Sequence, residues 1–153
     1  MGAPRIGVYV CHCGTNIAGT VDVKRIVEHA SSFPNMVIAR DYTYMCSDAG
    51  QKLIKQYIKD LELDRVVVAA CSPTLHESTF SRCIKDAGLN RYLIVMANIR
   101  EQCAWVHEGD VTEKALELIR MAVNEALLLE PLEKREFAVE KEVMVVEAGL
   151  WGI

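Results

Sequence analysis

Five of the six cysteines in this 153-residue chain fall where a strand ends or in the turn beyond it. Cys11 and Cys13 close the run Ile6–Val10, Cys46 follows Met36–Tyr44, Cys71 follows Val66–Ala70, and Cys103 lies a few residues past Tyr92–Met96. If those strands belong to one parallel sheet, thiols far apart in sequence meet on a single edge. Four thiolates around one centre suit zinc or an iron–sulfur cluster, and paired thiols also support disulfide or persulfide chemistry. The competing view is that free cysteines act as small buried hydrophobes. Cys11, Cys13, Cys46 and Cys71 are the expected ligands, with Cys103 as an alternate.

The remaining polar residues add less. Cys83 stands mid-helix in Phe80-Ser-Arg-Cys83-Ile-Lys, away from the expected edge, and is read as structural. Cys103 is placed in the first turn of a helix starting at that edge, where the helix dipole would lower a thiol pKa. His12 is read as an exposed loop residue in preference to a ligand or a proton donor to cluster sulfur. His76 and His107 are given capping or surface roles, and Trp105 a core or interface role. Gly14 and Gly19 are expected to let backbone N–H groups turn toward bound sulfur. The chain has no Ser/His/Asp arrangement, Walker phosphate loop or HExxH motif.

The elements that must position these residues are legible from periodicity. Arg5–Val10 is a short apolar run suited to a strand buried on both faces. Asp22–Ser31 has apolar residues at Val23, Ile26, Val27 and Ala30, a helical spacing with Thr20 or Asp22 as N-cap. Met36–Tyr44 is more polar, as an edge strand is. Ser47 caps a helix with Leu53, Ile54, Tyr57, Ile58 and Leu61 on one face, and Arg65–Ala70 is a third strand. Thr74 and Glu77 have capping-box spacing before a helix that runs to Gly88, and Asn98 with Glu101 repeats it after a strand at Tyr92–Ala97. A long helix follows at about Thr112–Leu129, ended by Pro131, then a charged linker Glu130–Lys141 and a late strand Val143–Val146. Such alternation implies right-handed crossovers and an α/β fold, a flavodoxin- or Rossmann-like doubly wound parallel sheet of strand order 2-1-3-4. Its switch point, where ligands bind, lies between strands 1 and 3, beside Cys11, Cys13 and Cys71.

Bulk composition narrows the function classes. The apolar share is 51%, the charged share 25% and the net charge −4, so neither nucleic acid nor an anionic membrane is an expected partner. No signal peptide and no membrane span are expected, which makes the cytoplasm the default and favours metal or redox chemistry over structural disulfides.

Four strings together resemble one family: Val8-Tyr-Val-Cys-His-Cys-Gly-Thr-Asn-Ile17, Tyr44-Met-Cys-Ser47, Val67-Val-Ala-Ala-Cys-Ser-Pro73 with His76-Glu77, and Ala97-Asn-Ile-Arg-Glu-Gln-Cys-Ala-Trp-Val-His107. They look like the amino-terminal domain of the A-type subunit of heterodisulfide reductase and related iron–sulfur flavoproteins of anaerobic bacteria and archaea, over about Arg5–Pro131. Zinc is the alternative that the four thiolates themselves leave open; the resemblance implies an iron–sulfur cluster, expected to be 4Fe-4S. It also implies electron transfer in complexes with heterodisulfide reductase subunits B and C and a hydrogenase or formate dehydrogenase. A FAD-binding domain follows in that family. Here residues 1–131 make the cysteine-rich domain, and 132–153 make a linker and the truncated start of a dinucleotide-binding domain. Gly149 and Gly152 match the second and third glycines of the GxGxxG motif, but Glu147 replaces the first, so FAD is expected of the full-length family and not of this chain.

The leading expectation is thus an iron–sulfur or redox-thiol domain taking part in electron transfer, not catalytic alone. The alternatives are a thiol–disulfide or persulfide-handling domain and a docking module with inert cysteines. A homodimer or higher oligomer is also expected, because the helix Thr112–Leu129 carries more apolar side chains than one core-facing stripe requires.

Overall fold

The structure is a computed structural model that describes residues 2–142 and 144. The expected late strand Val143–Val146 and the glycines Gly149 and Gly152 lie outside, or largely outside, those residues.

Four strands, β1 (Ile6–Cys11), β2 (Met36–Tyr42), β3 (Arg65–Ala70) and β4 (Ile94–Asn98), form one all-parallel sheet in the order 2-1-3-4. β1 is central and wholly buried, with Cys11 opposite Tyr42 of β2 and Tyr9 opposite Val68 of β3. The period-2 alternation of strand side chains divides the core in two. Ile6, Val8 and Val10 with Val67 and Ala69 face one side, while Tyr9 and Cys11 with Val66, Val68 and Ala70 face the other. On the first face lie α1 (Thr15–Ala18), α2 (Val23–Ala30) and α5 (Thr112–Leu128); on the second lie α3 (Asp48–Asp60) and α4 (Pro73–Asp86). Five-residue Arg100–Ala104 forms a π-helical turn between β4 and α5.

The caps explain most boundaries. The Asp22 side chain accepts from Arg25 N–H and that of Ser47 from Gly50 N–H, the expected helix starts. At α4 the expectation fails: Ser72, not Thr74, is the N-cap, its hydroxyl accepting from Thr74 N–H, because Pro73 suits the first helical position. α4 ends at Asp86, and Gly88 makes the stop with φ of +99°. The Asn98 cap is half formed. Asn98 Oδ1 accepts from Glu101 N–H at 3.0 Å, but Glu101 turns its carboxylate to Arg100 and the turn winds as π, not α.

α5 buries Ala115, Leu116, Ile119, Ala122, Val123 and Ala126, and Leu118 and Leu127 are partly covered. The apolar excess expected to drive oligomerisation therefore shrinks, on α5, to exposed Met121 and Leu128. Beyond α5 the chain is fastened to the amino-terminal edge of the sheet: Arg65 Nη2 donates to Leu129 O at 2.8 Å and Asn90 Nδ2 to Leu132 O at 2.9 Å. Residues 133–142 are exposed and carry no regular structure. No helix of the described residues is long and apolar enough to cross a membrane.

Candidate functional site

The carboxyl edge of the sheet gathers the loops after β1, β2, β3 and β4. Cys11 is the last residue of β1, Cys71 follows β3 directly, and both are buried on the α3/α4 face of the sheet. Cys13 and Cys46, partly buried, pack against the same cluster. All six cysteines are free thiols.

Cys11 is the best-anchored sulfur. Its Sγ accepts the backbone N–H of Cys13 at 3.3 Å and that of Met45 at 3.4 Å, and its own S–H points to Thr43 O at 3.7 Å. The first contact depends on the tight Cys-X-Cys loop, in which Cys13 has φ of +50° and Gly14 +61°. A left-handed cysteine is strained, and it persists because its neighbours over-determine it. Gly14 has a second reason to lack a side chain: a Cβ would meet the Tyr44 hydroxyl at 2.9 Å. The second contact depends on Gly50. In the first turn of α3 it lets the Met45 backbone approach so closely that any Cβ would stand 2.4 Å from Met45 O. Gln51 Nε2 secures the same loop by donating to Cys46 O at 2.9 Å. Gly14 and Gly19 were expected to let backbone N–H groups turn toward sulfur; the groups that do so belong to Cys13 and Met45, while Gly14 N–H goes to Thr43 O and Gly19 N–H to Thr15 O.

Cys13 is met by a side chain. Arg100 Nη1 donates to its Sγ at 3.0 Å, while Nε and Nη2 both reach Glu101 Oε1, at 3.3 and 2.8 Å. The guanidinium lies over the Trp105 ring, 4.5 Å from its centroid. Trp105 is not core; it is half exposed and forms one wall of this arginine's slot. The second carboxylate oxygen of Glu101 is buried without a hydrogen-bond partner.

The thiols sense one another electrostatically. Burial pushes the Cys11 thiol up, the N–H groups of Met45 and Cys13 pull it down, and nearby Cys13 and Cys46 add to the rise. Burial pushes Cys71 up to about 11; Arg100 opposes it, and Glu101, Cys13 and Cys11 reinforce it. Cys11 is thus linked electrostatically to Cys13, Cys46 and Cys71. Among the described residues, however, no three His, Cys, Asp or Glu side chains stand in closed metal-binding geometry.

Cys103 departs from expectation. It is fully buried in the α2/α5 half of the core, with its S–H directed to Val111 O at 3.7 Å. Burial raises its pKa, with Lys114 opposing, so the expected lowering by a helix dipole does not occur. Both residues belong to the π-helical turn, which carries Arg100 beside Cys13 and Cys103 into the opposite core. Cys83 is buried mid-helix as expected, its S–H reaching Gln51 O at 3.4 Å. His12 is not a free loop residue: Nε2 is 2.7 Å from Asp41 Oδ2, tying the β1 loop to β2. His107 Nδ1 meets Cys103 O at 3.1 Å, and His76 packs edge-on to Phe80. Arg100 was not singled out from sequence, and Glu101 only as half of a capping-box spacing; a charged pair just after a strand was the available signal.

No protein-family model matches the chain. Individual relatives do. The iron-sulfur A-type subunit 2 of CoB–CoM heterodisulfide reductase from Methanopyrus kandleri is 58% identical over 153 residues, covering 98% of this chain and 23% of that protein. The A-type subunit of the H(2):CoB-CoM heterodisulfide,ferredoxin reductase of Methanothermobacter thermautotrophicus is 54% identical over 156 residues, covering 100% and 24%. A protein of Archaeoglobus profundus, named as similar to the A-type heterodisulfide reductase subunit, is 52% identical over 153 residues, covering 98% and 22%. The chain therefore spans about a quarter of the length of the curated relatives it matches, and within that span it belongs to the family of A-type heterodisulfide reductase subunits and their like.

Proposed function

We propose that this chain is the iron–sulfur domain of a heterodisulfide reductase A-like subunit, and that Cys11, Cys13, Cys46 and Cys71 hold a cluster of the 4Fe-4S type. The observation that carries the reading is the supply of donors to sulfur: two backbone N–H groups on Cys11 and a guanidinium on Cys13. A neutral buried thiol has little use for them, whereas a thiolate ligand that carries negative charge is stabilised by each. Four cysteine sulfurs at one sheet edge, with a charged pair beside them, fit the donor set of such a cluster. The bound cluster would supply one-electron transfer. The chain's own residues shield the sulfurs from water, orient Cys11 through its strand end and Cys46 through the Ser47-capped helix, and lodge a fixed positive charge beside Cys13. Because burial raises the Cys11 and Cys71 thiols, loading a cluster would release their protons.

By analogy with the relatives, whose names place them as iron–sulfur and ferredoxin-linked reductase subunits, the domain serves electron transfer in an oxidoreductase complex of the anaerobic cytoplasm. Subunits B and C of heterodisulfide reductase, and a hydrogenase or formate dehydrogenase, are the proposed partners. Residues 1–131 form the domain, and 132–153 lead toward a flavin domain. Zinc in place of the cluster, or thiol–disulfide cycling of Cys11, Cys13 and Cys71, are the competing uses of the same sulfurs. The raised thiol pKa of Cys11 and Cys71 argues against the latter, since the thiolate is the nucleophile. Anaerobic purification with iron, sulfide and zinc analysis decides: iron and acid-labile sulfide support the cluster, zinc alone replaces it, and metal-free protein with reactive thiols refutes both.

A further inference from the structure

The geometry points to Arg100 as the residue that sets the reduction potential of the centre ligated by Cys13, with Glu101 as its counterweight. This inference rests on the cluster reading above and deepens it.

Three restraints hold the guanidinium in one place. One edge donates to Cys13 Sγ at 3.0 Å, the other edge forks onto Glu101 Oε1 at 3.3 and 2.8 Å, and one face lies on the Trp105 ring at 4.5 Å. The Arg100 side chain is only 14% exposed, and that of Glu101 only 28%. Solvent therefore screens this pair less than it does the chain's exposed ion pairs. The backbone adds a fourth restraint. Glu101 N–H is held by Asn98 at the end of β4, and the π-helical turn starts there, so the pair is referenced directly to the sheet that carries Cys71. π-helical turns are uncommon and concentrate at functional sites. Here the turn carries Arg100 beside Cys13.

The sign of the effect follows from charge. One electron, delivered by an external one-electron reductant, adds a unit of negative charge to the ligated site and forms no bond to Arg100. A fixed cation hydrogen-bonded to the ligand sulfur favours that added charge. Glu101 partly cancels the cation and so opposes reduction. Arg100 acts through Cys13 and is a positioning residue, not a catalytic one. Conserving its charge alone is insufficient, because a lysine ammonium cannot fork between a sulfur and a carboxylate while lying flat on an indole.

The test uses the full chain, reconstituted anaerobically with ferrous iron and sulfide, and reads the midpoint potential by dithionite titration monitored by electron paramagnetic resonance. Arg100→Met is expected to lower the reduced-to-oxidised ratio at a fixed potential about tenfold, a shift of roughly 59 mV for one electron. Arg100→Lys should recover part of this. Glu101→Gln, which keeps an acceptor for Arg100 but removes the opposing charge, should shift the potential upward. Shifts of opposite sign at adjacent residues are not what a merely structural role would give. An unchanged or raised potential in loaded Arg100→Met overturns the inference and leaves the cluster reading standing. A parent protein that takes up no iron and sulfide overturns both. If Arg100→Met does not fold or load, Glu101→Gln decides alone, and an unchanged or lowered potential refutes the role.

Discussion

Gly50→Ala separates local propensity from the close approach that builds the site. By helix propensity alone, alanine in the first turn of α3 should stabilise the protein by up to about 1 kcal/mol. The structure reverses the sign. An alanine Cβ would stand 2.4 Å from Met45 O, 2.6 Å from Met45 Cα and 2.7 Å from Met45 C. Non-bonded atoms are comfortable at about 3.5–4.0 Å, so the Met45 backbone must retreat by about 1 Å. All three obstacles are backbone, which cannot rotate aside, and Met45 is itself fully buried. Overpacking of this kind costs about 1–3 kcal/mol, so a net loss of about 1–2 kcal/mol is expected. Urea denaturation should show this as a midpoint lower by about 1 M at unchanged slope. The displaced backbone also disturbs the 3.4 Å contact from Met45 N–H to Cys11 Sγ, so iron uptake should fall as well. A variant as stable as the parent, with the same iron uptake, would refute the claim that Gly50 holds the loop against Cys11.

Three further outcomes follow from the same contacts. Cys83→Ala should cost about 0.5–3 kcal/mol in denaturant titration and leave iron and sulfide content unchanged; loss of iron in a folded variant would show that Cys83 is a ligand. Cys103→Ala should behave likewise, because its thiol faces Val111 in the other half of the core, and iron analysis of the purified variant checks it. The thiols of Cys71 and Cys83 are pushed by burial from 9.0 up to about 11, so the folded state holds their protons more tightly than the unfolded chain. That contribution is whole below pH about 9 and is lost as pH rises through about 11. Metal-free protein should accordingly lose stability over that window, by less in Cys83→Ala, and a flat denaturation profile there would contradict the assignment.

What could be foreseen from sequence divides by physical cause. The run RVVVAA at 65–70 has no reading but a buried strand, and the structure places β3 on those residues. The edge position of β2 followed from its polar residues, and the switch point from alternation alone. The π-helical turn was not legible, because a capping-box spacing at Asn98 and Glu101 is written identically whether the following turn is α or π. That one ambiguity misplaced Cys103 and hid Arg100. The Thr74 cap failed for a nearer reason: two hydroxyls flank Pro73, and only the one before it can cap a helix that begins with proline. Contacts such as Met45 N–H to Cys11 Sγ join residues 34 apart, and no periodicity encodes them.

The fastening of the chain after α5 bears on how far this domain can reach. Arg65 and Asn90 hold Leu129 and Leu132 at the amino-terminal edge of the sheet, the side away from the thiols. A six-residue strand such as β1 is about 20 Å long, so anything joined directly at that anchor starts a full sheet height from the sulfurs. The exposed stretch 133–142 has a maximal span of about 35 Å, enough to round the domain and return to the thiol edge. Halving it would leave about 17 Å, shorter than the sheet is tall. Spacer length thus governs how near to the sulfurs anything carried beyond residue 142 can come: the anchor sets the starting distance, and ten exposed residues set whether that distance can be closed.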